Sequence, residues 1–339
     1  GQRTITGIVA DQLLGRPDLF GKVATRAAPV INWVVGAESG TMRRRVLARA
    51  TGITAQRRLA PYARRRFSST LRTRRRMDDP TADRRVTVFP TCLVEYRRPE
   101  VGRALVDVYA RSGIACDIAG VGCCGASWLT AGDIRRFAAV ATRNVATLAN
   151  AIRAGTDVVV AQPTCHAVIT TDYRDHVGGS DAELVATRTF DAVQYLADHS
   201  GDRHVIDTTL DTRFIGGGPT RIVHHEPCDG LDEDPSAARR LLERTGATVT
   251  ELRRCTGVDG RWGLRTVNAR IGTATAHELG TEIQRSGADV ITGSCILTNI
   301  AVEDQTGRTV VHPLEFIAST LDAAPRATPR IPLRARLRR

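Results

Sequence analysis

"RAGTDVVVAQPTC", residues 153–165, and "RSGADVITGSC", residues 285–295, follow one pattern. In each, a glycine and an aspartate precede a short run rich in β-branched residues, and the run leads to a cysteine. Short apolar runs of this kind are typical of buried strands. The upstream stretches "VTVFPTC", residues 86–92, and "TRIVHHEPC", residues 220–228, repeat the pattern. The chain therefore predicts two modules of one design.

Helical spacing appears between the strands of the first module. The apolar residues that recur there are Ile134, Phe137, Ala141, Val145, Leu148 and Ile152. The order strand, helix, strand predicts an α/β fold with two pseudo-symmetric, Rossmann-like modules, each built on a parallel sheet. We expect a basic helical segment at 1–83, modules at 84–200 and 218–325, a linker at 201–217 and a basic tail at 326–339.

Charge is distributed unevenly along the chain. The formal charge is +12, yet residues 1–85 carry a net +13 and residues 326–339 carry six arginines without an acid, so the centre is acidic. The arginine runs alternate with alanine, leucine and valine, and only Tyr62 and Phe67 offer aromatic faces to bases, which disfavours nucleic acid as a partner. Contact with a membrane surface or a partner subunit fits these ends. Alternatively, Phe20, Val30, Ile31 and Trp33 pack on the body of the protein or on a partner subunit.

Cysteine usage and hydropathy indicate the compartment. The chain has eight cysteines, no secretion signal and no apolar run of the roughly 18 residues that span a bilayer. Reduced thiolates held by metal explain these cysteines better than disulfides do. We expect a cytoplasmic protein, peripheral on the cytoplasmic membrane face.

Most cysteines follow predicted strands. Cys92, Cys165, Cys228 and Cys295 each come after one, and "GVGCCGASW", residues 120–128, places Cys123 and Cys124 after another. The carboxyl ends of parallel strands meet at one edge, where such sheets bind ligands. Gly125 leaves room for a metal beside these thiols. Cys255 is taken as the counterpart of Cys124, and Cys116 is read as an inert buried thiol.

Several phrases resemble a known family. They are "CCGASWLTAGDI", "QPTC", "ATRTFDAVQYL", "HHEPC", "RCTGVDGRWGL" and "HPLEFIA". Together they resemble the cysteine-rich CCG domain of iron–sulfur oxidoreductases, which occurs twice in the B subunit of heterodisulfide reductase and in the C subunit of anaerobic glycerol-3-phosphate dehydrogenase. The resemblance implies an iron–sulfur cluster, a 4Fe–4S cluster of non-cubane type where all five thiolates of a module are present.

The resemblance also implies a ligand set. In the first module it comprises Cys92, Cys123, Cys124 and Cys165, with Val168 in place of the fifth thiol and His166 as a supplementary group. In the second it comprises Cys228, Cys255 and Cys295, with Thr256 where the second thiol of the pair would be and with His224 and His225 nearby. This second set suits a cluster or a zinc ion, or is vestigial. A single site that draws on both sets is a further alternative.

The resemblance implies an electron-transfer subunit. Such a subunit of a dehydrogenase or heterodisulfide-reductase-like complex passes electrons between a flavoprotein partner and a quinone or disulfide. No cysteine precedes Cys92, so the ferredoxin-like domain of the family is not found in this sequence. Two alternatives are open: residue 1 marks a truncated or processed start, or a separate ferredoxin-like iron–sulfur subunit supplies the further clusters. We find no phosphate-binding glycine loop and expect no flavin in this chain, since "FIGGGP" at 214–219 is taken as part of the linker. The alternative is a non-redox zinc-binding or scaffold subunit.

Overall fold

Two four-stranded parallel sheets form the framework of the chain. The computed structural model describes residues 12, 15–35, 41–71, 82–200, 219–226, 236–260 and 262–323. Outside these residues lie the predicted linker at 201–217, the predicted tail at 326–339 and Cys228. The domain boundaries stay predictions. The α/β class with two parallel sheets is confirmed.

The first sheet has the strand order β2-β1-β3-β4. Its strands are β1 Arg84–Val88, β2 Ile114–Ile118, β3 Asp157–Val160 and β4 Thr189–Asp191. Val88 pairs with Ile118 on one side and with Val159 on the other. The last residues of the two central strands therefore lie at the same edge of the sheet.

The second sheet has the order β6-β5-β7-β8, which repeats that of the first. Its strands are β5 Arg221–His225, β6 Thr248–Leu252, β7 Val290–Gly293 and β8 Val310–Val311. His225 pairs with Leu252 and with Gly293, so these strands too end at one edge.

Helices connect the strands and pack on the sheets. Those described are α1 Pro17–Arg26, α2 Ala28–Val35, α3 Met42–Thr51, α4 Phe67–Leu71, α5 Cys92–Tyr96, α6 Pro99–Arg111, α7 Ala126–Leu129, α8 Ile134–Arg153, α9 Pro163–Ala167, α10 Tyr173–His176, α11 Gly179–Thr187, α12 Ala192–His199, α13 Ser236–Glu243, α14 Ala269–Arg285, α15 Ile296–Thr306 and α16 Pro313–Ala323. Val168–Asp172 form a π-helical turn, and Trp262–Leu264 and Thr266–Asn268 are 3₁₀ turns. None of the described helices is long and apolar enough to cross a bilayer.

The predicted apolar stripe of α8 is buried, apart from its first member. The Asp133 side chain accepts a hydrogen bond from the Arg136 amide at 3.2 Å and so caps the helix. From Phe137 to Ile152 the stripe packs in one core with Cys124 and Cys165. Ile134 is 43% exposed, because it lies in the first turn, ahead of the part that packs on the sheet.

The described part of the N-terminal segment contacts both halves of the chain. Phe67 is fully buried in a core that contains residues of the first sheet together with Leu314 and Ile317 of α16. The buried Arg57 guanidinium donates to the carbonyls of Thr256 and Gly272 in the second half of the chain. By contrast, Val30 and Trp33, expected as alternatives to pack on the body, are 67% and 65% exposed.

Candidate metal centre

Three segments bring four cysteines to the carboxyl edge of the first sheet. Cys92 begins α5, where the Thr91 hydroxyl accepts from the Val94 amide at 3.3 Å and caps the helix. Cys123 and Cys124 lie in the loop that follows β2, and Cys165 lies in α9, just after β3. Each segment follows a strand of one parallel sheet, which is why residues 73 positions apart meet.

The four thiols contact one another. The Sγ atoms of Cys124 and Cys165 are 3.2 Å apart. The Cys123 thiol hydrogen-bonds to the thiols of both Cys92 and Cys124. Cys124 and Cys165 are 2% and 5% exposed, whereas Cys92 and Cys123 are half-buried. The structure thus brings together the whole ligand set predicted for the first module.

Among Cys92, Cys123 and Cys124, the electrostatics favour a thiolate on Cys123. Hydrogen bonds from the Cys124 and Cys92 thiols, together with the Gly125 amide, lower the pKa of Cys123 well below its usual value. The same contacts, with burial, raise the pKa values of Cys92 and Cys124. Without a metal the set therefore keeps protons on Cys92 and Cys124, and a bound cation would have to displace them.

Gly125 shapes the turn that carries the adjacent cysteines. Its φ of +92° is in the left-handed region, and its amide donates to the Cys123 Sγ at 3.3 Å. A Cβ at this position would lie 3.0 Å from the Phe137 ring, so a side chain would crowd the core beneath the thiols. Glycine satisfies both constraints.

Three polar residues that sequence reasoning missed hold the loop in place. The Cys123 amide donates to Asp18 Oδ2 at 2.8 Å, and its carbonyl accepts from Asn144 Nδ2 at 3.0 Å. The Tyr173 hydroxyl donates to the Cys124 carbonyl at 2.8 Å. Asn144 could have been found, because it interrupts the buried apolar stripe of α8 with an amide. Asp18 and Tyr173 carry no such pattern.

Val168 occupies the position of the missing fifth thiol. It is 6% exposed and packs in the core cluster that includes Cys124 and Cys165. His166, the predicted supplementary group, has its Nε2 atom 3.2 Å from the Thr189 carbonyl. That ring nitrogen is directed at the neighbouring strand β4.

The turn at Cys255 repeats the turn at Cys123. Gly257 has a φ of +61°, and its amide donates to the Cys255 Sγ at 3.3 Å. Cys255 therefore corresponds to Cys123, and the buried Thr256 stands where the second thiol would be, as the triplet at 255–257 predicted. The pairing of Cys255 with Cys124 by residue offset was wrong. Cys255 itself is exposed.

Cys295 lies between the two halves of the chain. It is 2% exposed, and its sulfur accepts from Gln162 Nε2 at 2.9 Å. The Oε1 atom of the same amide accepts from the Ile296 backbone at 3.1 Å. Burial raises the pKa of the Cys295 thiol. Gln162 thus joins the ends of β3 and β7, a contact that sequence reasoning did not predict.

The two histidines near the second set are engaged in hydrogen bonds. The Nδ1 and Nε2 atoms of His224 lie 2.9 Å from Thr292 Oγ1 and 3.1 Å from Glu226 Oε2. The Nε2 atom of His225 is 2.8 Å from the Arg254 carbonyl. Among the described residues, which include the four thiols of the first module but not Cys228, no group of three or more His, Cys, Asp and Glu side chains is arranged to hold a metal ion. Metal binding by the four thiols is therefore a proposal that rests on their contacts with one another. The second ligand set stays a prediction.

Comparisons with known proteins agree with the cysteine pattern. The family model of the cysteine-rich domain, CCG, matches residues 86–170, which include all four clustered cysteines. The chain is 25% identical over 319 residues to the C subunit of anaerobic glycerol-3-phosphate dehydrogenase from Escherichia coli K12, covering 91% of this chain and 76% of that protein. It is 23% identical over 230 residues to the B subunit of fumarate reductase (CoM/CoB) from Methanothermobacter marburgensis, covering 65% of this chain and 42% of that protein. The resemblance expected from the motifs is confirmed: residues 86–170 match the cysteine-rich CCG domain, and the chain is similar to subunits of a dehydrogenase and a reductase.

Proposed function

We propose that the chain is an iron–sulfur electron-transfer subunit of a dehydrogenase or heterodisulfide-reductase-like complex. The observation that carries the proposal is the contact among four thiols at one sheet edge. Cysteine thiolates are the protein ligands of iron–sulfur clusters, and four of them complete a four-iron cluster. Cys92, Cys123, Cys124 and Cys165 would hold it.

The donor set of this edge fits such a group in number and in surroundings. The four sulfurs stand over an apolar core in which Val168 replaces a fifth donor, which favours ordinary four-thiolate ligation over a five-thiolate set. When bound, the cluster supplies one-electron transfer. The backbone amide of Gly125, directed at the Cys123 sulfur, contributes a hydrogen bond of the kind that tunes cluster potentials.

The nature of the relatives supports the partners that we propose. Both are subunits of larger enzymes, a dehydrogenase and a reductase. We propose that this chain binds a flavoprotein dehydrogenase subunit and a ferredoxin-like iron–sulfur subunit. The electron acceptor would be a quinone or a disulfide.

Peripheral attachment to a membrane surface is part of the same proposal. Leu19, Val23, Val30 and Trp33, all on α1 and α2, are between 56% and 67% exposed. Large apolar side chains interleaved with basic residues suit the interface between headgroups and acyl chains. The chain would then lie against an anionic leaflet at the place where a membrane-soluble acceptor is found.

Iron analysis of cysteine variants tests the assignment. After purification without oxygen, the full chain should contain iron and acid-labile sulfide, and Cys124→Ala should remove most of both. Cys116→Ala is the matched control, because Cys116 is also buried but lies in β2, outside the four-thiol set. Its iron content should equal that of the wild type.

Two results would contradict the proposal. Wild-type protein free of iron would favour the zinc-binding or scaffold alternative. Equal iron loss in both variants would show that loss of packing, rather than of a ligand, releases the metal. The thermal unfolding midpoints of both variants show how much packing each has lost, since each substitution removes one buried sulfur. Similar midpoints with iron loss in Cys124→Ala alone indicate loss of a ligand.

A further inference from the structure

A cavity of about 420 Å³ opens beside Cys123. Its walls are the start of α1, the loop at 120–125 and one face of α8. Of the four clustered cysteines, Cys123 lines the cavity and the others do not. A molecule bound there would contact the loop that carries the candidate metal ligands.

Two arginines give the cavity a positive rim. Arg16 and Arg143 both line it, and both are exposed. Neither forms an ion pair with any residue in the ranges that the structure describes, although exposed arginines elsewhere do, such as Arg188 with Asp157 at 2.6 Å. Guanidinium groups bind carboxylates, sulfonates and phosphates through paired N–H donors. The rim is therefore suited to an anionic group.

The one carboxyl group in the wall does not cancel this charge. Asp18 Oδ2 accepts from the Cys123 amide at 2.8 Å, and Oδ1 accepts from the Tyr96 hydroxyl at 3.2 Å. Both oxygens are thus turned to the protein.

Apolar groups complete the wall between the rim and Cys123. The Trp128 ring and the Val140 side chain line the cavity, and Gly120 leaves open space, since a Cβ there would meet no atom within 4 Å. Cavities of this size with a few placed polar groups are typical small-molecule sites. The walls suit the body of an organic molecule more than a hydrated inorganic ion.

We propose that this cavity binds a small organic anion, with its acidic group between Arg16 and Arg143 and its apolar body against Trp128 and Val140. The site goes beyond the electron transfer proposed above and does not depend on it. The residues that line the cavity come from 15–19, at the start of α1, and from 120–147, within the part of the chain that matches the cysteine-rich domain.

Equilibrium dialysis of the full chain, without oxygen, tests the site with two redox-inert probes. Naphthalene-2-sulfonate carries an acidic group, and 2-naphthalenemethanol is its neutral counterpart. Arg143→Gln should weaken sulfonate binding about tenfold, as expected for loss of a charged hydrogen bond, and leave binding of the alcohol unchanged. Arg135→Gln is the matched control, because Arg135 is exposed on the same helix but does not line the cavity. It should change sulfonate binding less than twofold.

Gly120→Leu provides a second test, since its side chain enters the open space and should weaken both probes. The inference is overturned if wild-type protein fails to bind millimolar sulfonate, if Arg135→Gln weakens binding as much as Arg143→Gln, or if Gly120→Leu changes neither probe. Iron-free protein that binds the sulfonate through Arg143 would refute the cluster and keep the cavity site. Iron-containing protein that binds neither probe would refute the cavity site and keep the cluster.

Discussion

His312 should make the fold sensitive to mild acid. The residue follows β8, is 1% exposed, and its Nδ1 atom accepts from the Leu314 amide at 3.2 Å. Burial lowers its pKa from 6.5 to about 3, and the nearby His224 and Arg98 contribute in the same direction. The folded protein therefore keeps the His312 ring neutral in mild acid, and the ring gains a proton there only when the protein unfolds. His312→Asn removes the titration and retains an acceptor for the Leu314 amide.

The size of the effect follows from the two pKa values. Because the folded-state pKa lies below the unfolded one, stability is fully present above pH 6.5 and is lost as pH falls toward 3. Each pH unit in this window costs about 1.4 kcal/mol. Between pH 7 and pH 5 the free energy of unfolding should fall by about 2 kcal/mol more in the wild type than in the variant. Poorer packing in the variant lowers its stability equally at both pH values and does not affect this difference.

Urea unfolding at pH 7, 6 and 5, followed by circular dichroism, measures the difference. Loss of metal at low pH affects wild type and variant alike, so the comparison cancels it. His277→Asn is the control, because His277 is exposed on α14 and should leave the pH dependence unchanged. Parallel stability curves for wild type and His312→Asn would refute the reasoning, since they would show that His312 has the same pKa in the folded and the unfolded state.

Two further predictions concern the loop of the candidate centre and two glycine turns elsewhere in the chain. Asn144→Leu removes both hydrogen bonds that the Asn144 amide donates, to the Cys123 carbonyl and to the Tyr173 hydroxyl. It should lower the free energy of unfolding in urea by about 2–3 kcal/mol and lower the iron content. Asn150→Leu, on the exposed side of α8, should change neither quantity. Gly155→Ala at a φ of +98° in open space should cost about 1 kcal/mol. Gly257→Ala should cost at least twice as much, since its Cβ would lie 2.7 Å from a backbone oxygen; equal losses in the urea midpoint would rule out the close contact.

The features that sequence predicted are those with a local or periodic pattern. Apolar runs before Cys92, Cys165 and Cys295 predicted strands, and the position of cysteines after parallel strands predicted that they would meet. The helical spacing from Phe137 to Ile152 predicted the buried face of α8. These patterns follow from the periods of strand and helix, so a single sequence contains them.

The contacts that sequence missed join distant residues by polar atoms. Asp18 meets the Cys123 amide across 105 positions, and Gln162 meets the Cys295 sulfur across 133. No period or spacing encodes such a pair. The offset that paired Cys255 with Cys124 had a different cause, because it came from counting residues between the modules. The triplet "CTG" at 255–257 and the turn at Gly257 both align Cys255 with Cys123.

Contacts from the N-terminal segment limit how far this chain can be shortened. Asp18 holds the Cys123 loop in the first half, while Arg57 holds the carbonyls of Thr256 and Gly272 in the second. A chain trimmed to begin at residue 82 would leave all three backbone groups without these partners. Trimming to the boundaries of the cysteine-rich domain would therefore remove part of the wall and support of its own loop, so the smallest unit worth expressing includes α1 and the segment around Arg57.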